Sequence, residues 1–190
     1  MKLELYQRDA SSKGKTNQLR REGNIPAVLY GPQREAKTCS VKADAFAAVI
    51  RSLKPGLLAT QVFELTMDGK TIKAIIKDVQ YHVANYEVRH LDFLELGKEA
   101  KVTLNVPIKI EGVAECAGVK LGGSLRQVIR FLKVRCFPDK IPEMFSFDVK
   151  GLALGGVMKL SDLQIPEGIE PRAVMNQVAV LVSGGKKLGA

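Results

Sequence analysis

The chain of 190 residues has no tryptophan, only two histidines and only three cysteines. Each shortage excludes something. With no tryptophan and 11 phenylalanines and tyrosines (7 + 4), a broad aromatic platform for stacking bases is not expected. Cys39, Cys116 and Cys136 are odd in number and far apart. Neither a disulfide framework nor a zinc site follows from that spacing, and no metal or other cofactor is expected. The three read as small, half-buried apolar residues in a reducing compartment. No apolar run approaches the roughly 18 residues of a membrane helix, so no membrane partner is expected. The opening Met1-Lys2-Leu3-Glu4-Leu5-Tyr6-Gln7-Arg8 lacks the apolar stretch of a secretory signal, which points to the cytoplasm. Acidic residues are also short, 20 against 29 lysines and arginines, for a net charge of +9. A small basic protein of this kind suggests an anionic partner, with nucleic acid the first candidate.

What is present fits a globular chain: 46% hydrophobic and 26% charged residues, long enough for one large domain or two small ones. Residues 2–7 alternate, with Leu3 and Leu5 on one face, as in a half-buried strand. Residues 8–15 are small and polar and are expected to form a loop. Thr16 to Gly23 reads as a short helix stopped by Gly23, and Ile25 to Gly31 as an apolar strand. Phe46, Val49, Ile50 and Leu53 recur at helical spacing after Asp44, a candidate N-cap. Asp68-Gly69 between two alternating runs marks a two-residue type I′ hairpin, in a register that pairs Leu65 with Ile72 and Phe63 with Ala74. A further strand is expected over Tyr86 to Phe93, then a connector near Leu94-Glu95-Leu96-Gly97.

After that connector the texture changes. Val102, Leu104, Val106, Ile108 and Ile110 alternate without a break, and Pro107 among them suggests an edge strand or a bulge. Similar alternation recurs around Leu132, Phe145 and Val178, separated by Gly and Pro turns. This half reads as an all-β sandwich or barrel, with one helical turn near Leu160. The expected fold is therefore mainly β with a few helices. Residues 1–94 form the first domain, 95–184 an all-β second domain, and 185–190 a loose tail.

The chemistry along the chain is selective. Gly14-Lys15-Thr16 invites comparison with a phosphate-binding loop. That motif needs a glycine five positions before Gly14, where Asp9 stands, and an acid there would repel a nucleotide phosphate. His82, His90 and Asp92 form the only histidine-containing group. His90 and Asp92 share one strand face, yet no third residue is spaced to complete a metal site or a hydrolytic triad. No enzyme activity and no small-molecule substrate are expected. That face is either solvated or in contact with a polar partner. Residues 8–21 hold Arg8, Lys13, Lys15, Arg20 and Arg21 against Asp9 alone. Small residues among these cations let a polyanion approach the backbone, which suits phosphate contact.

Arg8 with Lys13-Gly14-Lys15, then Leu19-Arg20-Arg21-Glu22-Gly23-Asn24-Ile25-Pro26-Ala27-Val28-Leu29-Tyr30-Gly31, resembles the opening of a bacterial large-subunit ribosomal protein family that binds 5S ribosomal RNA. Lys77-Asp78-Val79-Gln80-Tyr81-His82 and Arg89-His90-Leu91-Asp92-Phe93 resemble its second signature. Gly122-Gly123 and Leu163-Gln164-Ile165-Pro166-Glu167-Gly168 are similar to the additional β domain of the long, two-domain form, often called general stress protein CTC. The resemblance spans nearly the whole chain.

It implies a small β-barrel-like N-terminal domain with helices that grips an irregular internal loop of the RNA from its minor-groove side, followed by a β domain. It implies RNA contacts by Arg8, Lys13, Lys15, Arg20, Arg21, Tyr30, Gln80, His90 and Asp92. It also implies a cytoplasmic, ribosome-associated protein whose second domain meets other large-subunit components. The alternative is a stress-induced protein that acts off the ribosome through its β domain. One departure stands out. The family places further arginines before the leucine of its short helix, where this chain has Asn17 and Gln18, so two charge-assisted phosphate contacts are expected to be missing.

Overall fold

The computed structural model describes residues 1–8, 12–32, 34–97 and 100–184. Asp9 and the expected loose tail at 185–190 lie outside the described residues. The chain divides into two compact units, Met1–Leu104 with Phe137–Ile141, and Asn105–Cys136 with Pro142 onward.

The first unit contains β1 (Lys2–Glu4), β2 (Tyr6–Gln7), α1 (Lys13–Arg21), β3 (Asn24–Gly31), β4 (Arg34–Lys42), α2 (Ala43–Ser52), β5 (Val62–Met67), β6 (Lys70–Tyr81) and β7 (Val88–Glu95). Its seven strands form one sheet in the order β1-β5-β6-β7-β3-β4-β2. β1 runs parallel to β5 and β3 parallel to β7, while the other pairs are antiparallel. The two edge strands are consecutive in sequence and separated by Leu5 alone, so the sheet curls into a nearly closed barrel. Leu5 N donates to Thr66 O at 2.9 Å on one side of this seam, and Arg8 N to Thr38 O at 3.3 Å on the other.

The alternating apolar residues of these strands point inward. Leu3, Ile25, Leu29, Val41, Phe63, Leu65, Leu91 and Phe93 are all buried, and the core cluster draws only on residues 3 to 93. Phe63 and Phe93 meet edge to face with ring centroids 6.5 Å apart, the arrangement that aromatic quadrupoles favour. α2 lays Phe46 fully into this core with Val49 and Leu53 beside it. Truncating such a phenylalanine typically costs about 3–5 kcal/mol. The fourth apolar residue of the predicted stripe, Ile50, is 37% exposed.

The Asp68-Gly69 hairpin forms in the expected register, Leu65 against Ile72 and Phe63 against Ala74. Asp68 and Gly69 both take positive φ, 50° and 74°, as a type I′ turn requires. Gly23 ends α1 at φ 78°, the left-handed conformation that glycine adopts without strain.

Four local expectations are corrected. α1 begins at Lys13 rather than Thr16, because Ser12 caps it by accepting from Lys15 N at 3.3 Å. Asp44 lies in the first turn of α2 instead of capping it, and Lys42 at the cap makes no side-chain capping bond. β7 starts at Val88 and continues through Leu94 and Glu95, where a connector was expected.

The fourth correction lies in the second unit. That unit takes in most of β8 (Val102–Glu111), then α3 (Ala117–Lys120), β9 (Ser124–Gln127), β10 (Phe131–Cys136), β11 (Phe145–Asp148), β12 (Val157–Lys159), β13 (Glu170–Pro171) and β14 (Val178–Ser183). It forms a four-stranded sheet, β11-β8-β10-β13, and a three-stranded one, β12-β14-β9. β8 is therefore an internal strand despite Pro107. Pairing with β11 begins only at Ile108, so the proline, which has no N–H, sits just outside that ladder. Val106, Leu132, Val134, Phe147, Val180 and Val182 bury the inward faces. A 3₁₀ turn at Leu160–Asp162 appears where one turn was expected, and a second 3₁₀ turn at Val113–Glu115 and the four-residue α3 add to it.

Candidate nucleic-acid interface

The candidate residues of the strands converge on the outer face of β6, β7 and β3. Alternation sends Leu91 and Phe93 into the core and leaves His90 and Asp92 on the opposite face. Gln80 pairs directly with His90, and Asp78 with Asp92. Across the other neighbour Asp92 pairs with Val28, and Tyr30 with Leu94. Tyr30 and Asp92 thus lie on adjacent strands, two residues apart along the ladder. Asp78 was not among the candidates from sequence. Its signal was the period of two, since it lies two residues before Gln80 on the same strand.

His90 Nδ1 lies 2.7 Å from Asp92 Oδ1, with the side chains 21% and 30% exposed. The contact is close but off the direction of a hydrogen bond, and Nδ1 has no hydrogen-bond partner. Nδ1 is buried beside the carboxylate, so Nε2 is the imidazole nitrogen left to meet a partner. Burial first, then the charges of Asp92 and Asp78, push the Tyr30 hydroxyl above its ordinary range. It therefore stays protonated and able to donate. Gln80 is exposed.

The cations are arranged in two ways. Lys13, Lys15 and Arg21 are exposed on α1. Arg8 and Arg20 are half-buried and tied to backbone carbonyls. Arg8 Nε donates to Cys39 O at 2.9 Å, and Arg20 Nη2 to Arg89 O at 3.3 Å. Arg20 Nη1 also donates to Asn17 Oδ1 at 3.2 Å, while its Nε is buried without a partner. Arg20 thus pins α1 to β7 next to His90. Burial, then Arg89, then Arg8, lower its pKa, which marks a cluster of like charges. None of these three arginines is ion-paired with a described carboxylate. Arg89 was absent from the candidates, and it became visible only through its carbonyl contact with Arg20.

Asn17 and Gln18, the positions where arginines were expected, have local partners. Asn17 accepts from Arg20, and Gln18 Nε2 donates to Glu22 Oε1 at 2.9 Å. Among the described residues no group of three or more His, Cys, Asp or Glu is placed to hold a metal ion, and no helix is long and apolar enough to cross a membrane.

The arrangement can therefore present cations to phosphates from α1. From the strand face it can present carboxylate, imidazole, amide and phenol groups to base edges and hydroxyls. Comparison with known proteins agrees in kind. Residues 3–93 match the Ribosomal L25p family, and residues 101–186 match Ribosomal protein TL5, C-terminal domain. A protein of Chlamydia muridarum named "Large ribosomal subunit protein bL25" is 44% identical over 183 residues, covering 96% of this chain and 99% of that one. Proteins of the same name from Chlamydia trachomatis serovar L2 and Chlamydia pneumoniae are 45% and 41% identical, with the same coverage.

Proposed function

The chain belongs to the ribosomal L25p family, and from that premise we propose that it is a structural, non-enzymatic protein of the large ribosomal subunit that binds 5S ribosomal RNA through its first unit. In that role it is cytoplasmic and ribosome-associated, and its second unit contacts other large-subunit components. The observation that carries the proposal is the Gln80–His90 and Asp78–Asp92 row beside the cations of α1. A protein that held RNA by phosphates alone would have no use for two carboxylates at the centre of a basic surface.

RNA displays base edges and 2′-hydroxyls in a wide, shallow minor groove. There Asp92 accepts from a guanine or cytosine amino group. Tyr30 packs on a sugar and donates its hydroxyl, while Gln80 and His90 donate or accept. Lys13, Lys15 and Arg21 neutralise phosphates and fix register, and Arg8 and Arg20 hold α1 and the sheet in position. The deciding experiment is titration with 5S ribosomal RNA against an unrelated duplex of equal length, with co-sedimentation on large subunits before and after ribonuclease. Selective binding and ribonuclease-sensitive sedimentation are expected. Equal affinity for both RNAs would overturn the proposal.

A further inference from the structure

A concavity lies on the first unit, apart from the face just described. It is a groove of about 520 Å³ bounded by the end of α1, one side of α2 and the loop between β6 and β7, a volume within the usual span of small-molecule sites. Arg89 alternates with His90, so it belongs to the opposite face of β7 from the Gln80–His90 row. Phe46 and Ile50 contribute the apolar floor. Ile50 is the one member of the α2 stripe left 37% exposed.

Tyr86 stands at the rim, 77% exposed. It is held at φ 55° by a structured loop in which Tyr86 N donates to His82 O at 3.0 Å and His82 N to Glu87 O at 2.8 Å. An aromatic ring is thus offered to solvent from a fixed backbone. Two arginines, Arg20 and Arg89, line the same space without a described carboxylate partner, and the buried Nε of Arg20 makes no hydrogen bond. Glu87 lines the groove too. A ligand suited to this place joins an anion to a flat, weakly polar ring that carries donors.

We propose that the groove holds one nucleotide of the bound RNA, displaced from its stack, with its base against Tyr86 and Ile50 and its phosphate between Arg20 and Arg89. The proposal rests on the RNA-binding function above. Arg20 is what makes RNA the occupant, because the same side chain sits at the end of the cationic helix and at the wall of the groove. A strand gripped by α1 is already beside the opening. Glu87 can accept from a base amino group, whereas it would repel an acidic peptide. Stacking on an exposed tyrosine needs no particular base, because every base offers a π-face.

The absence of tryptophan makes the test direct, since Tyr86→Trp introduces a single indole. In the full-length Tyr86→Trp protein, 5S ribosomal RNA at one equivalent is expected to lower the indole emission by about half and to reduce its quenching by acrylamide about threefold, as stacking would. Micromolar adenosine or uridine monophosphate, and micromolar poly-glutamate, are expected to change neither. In gel shifts Tyr86→Ala should weaken RNA binding about tenfold with the salt slope unchanged, and Tyr86→Phe should retain affinity. Arg89→Ala, as a second variant independent of the loop, should weaken binding and make the slope shallower by a little under one. An indole that stays bright and accessible in a complex formed at full affinity would overturn the groove assignment and leave the RNA-binding function standing. Protection by the free mononucleotide or by poly-glutamate would overturn the choice of occupant. Failure of the unmodified protein to bind the RNA would overturn both.

Discussion

The imidazole of His90 and the carboxylate of Asp92 approach to 2.7 Å along one strand, without the alignment that would make them each other's hydrogen-bond partner. They form a close pair in which Nδ1 is buried beside the carboxylate and Nε2 is the imidazole nitrogen left for a partner. For a surface meant to read base edges this is preorganisation, because ordering these side chains costs little at the moment of binding.

Asp92→Asn is therefore expected to reduce discrimination between 5S ribosomal RNA and a plain duplex by about 1–3 kcal/mol. The salt dependence should stay as it was, because no phosphate contact is lost. Paired titrations of the two RNAs measure this. Tighter and equal binding to both would mean that Asp92 only repels.

The cations of α1 and its neighbours should behave unequally. Lys13, Lys15 and Arg21 are exposed, whereas Arg8 and Arg20 are bound to carbonyls. Log affinity against log salt is expected to fall with a slope of about −2 to −3, as for three or four neutralised phosphates. Arg21→Ala should make that slope shallower by a little under one. Arg20→Ala should weaken binding while also lowering the melting temperature, because it releases α1 from Arg89.

Cys39 supplies a pH dependence. Burial raises its thiol from 9.0 to about 11, with nearby Arg8 acting in the opposite sense. The folded protein holds this proton more tightly than the unfolded chain does. The corresponding stability is complete below pH 9 and is lost as pH climbs to 11, a decline of roughly 2–3 kcal/mol. Unfolding free energies at pH 8 and pH 11 should therefore differ less for Cys39→Ala than for the natural chain. All three cysteines are buried, so a thiol reagent at pH 8 should label them only after unfolding.

The core of the first unit draws on residues 3 to 93, which ends before β8. Cutting between β7 and β8 should give a fragment 1–97 that folds and keeps most of the affinity for 5S ribosomal RNA. Fragment 100–190 should fold as β structure and bind that RNA only weakly. Circular dichroism with gel shifts on both pieces checks this. Specific binding by 100–190 would reassign the interface.

Local structure was legible wherever one short-range rule dominated. The Asp68-Gly69 turn set its own register, and the Phe46–Leu53 spacing set which side of α2 is buried. The start of α1 was hidden because Gly14 is a poor helix former, and the hydroxyl of Ser12 outweighs it. The parallel pairings of β1 with β5 and β3 with β7 leave no local trace, because their partners lie about sixty residues apart. The candidate site was legible in its residue types. Of its neighbours, Asp78 left a signal in the period of two from Gln80, whereas Arg89 joins through a backbone carbonyl bound by Arg20 and left none.

The seam at Leu5 has a consequence in time. On a ribosome, residues 2–7 emerge long before Val62–Met67, the strand that β1 needs, while β2 needs Thr38 to Ser40. The earliest segment to be made is among the last to find its place. Until β7 arrives to link β6 with β3, the growing sheet is in two parts and cannot close. Closing so long a loop is slow and entropically costly, so the half-made protein is exposed to mispairing for that interval. Once β1 and β2 have both docked, a single residue joins the first and last strands of the sheet and brings its two ends together.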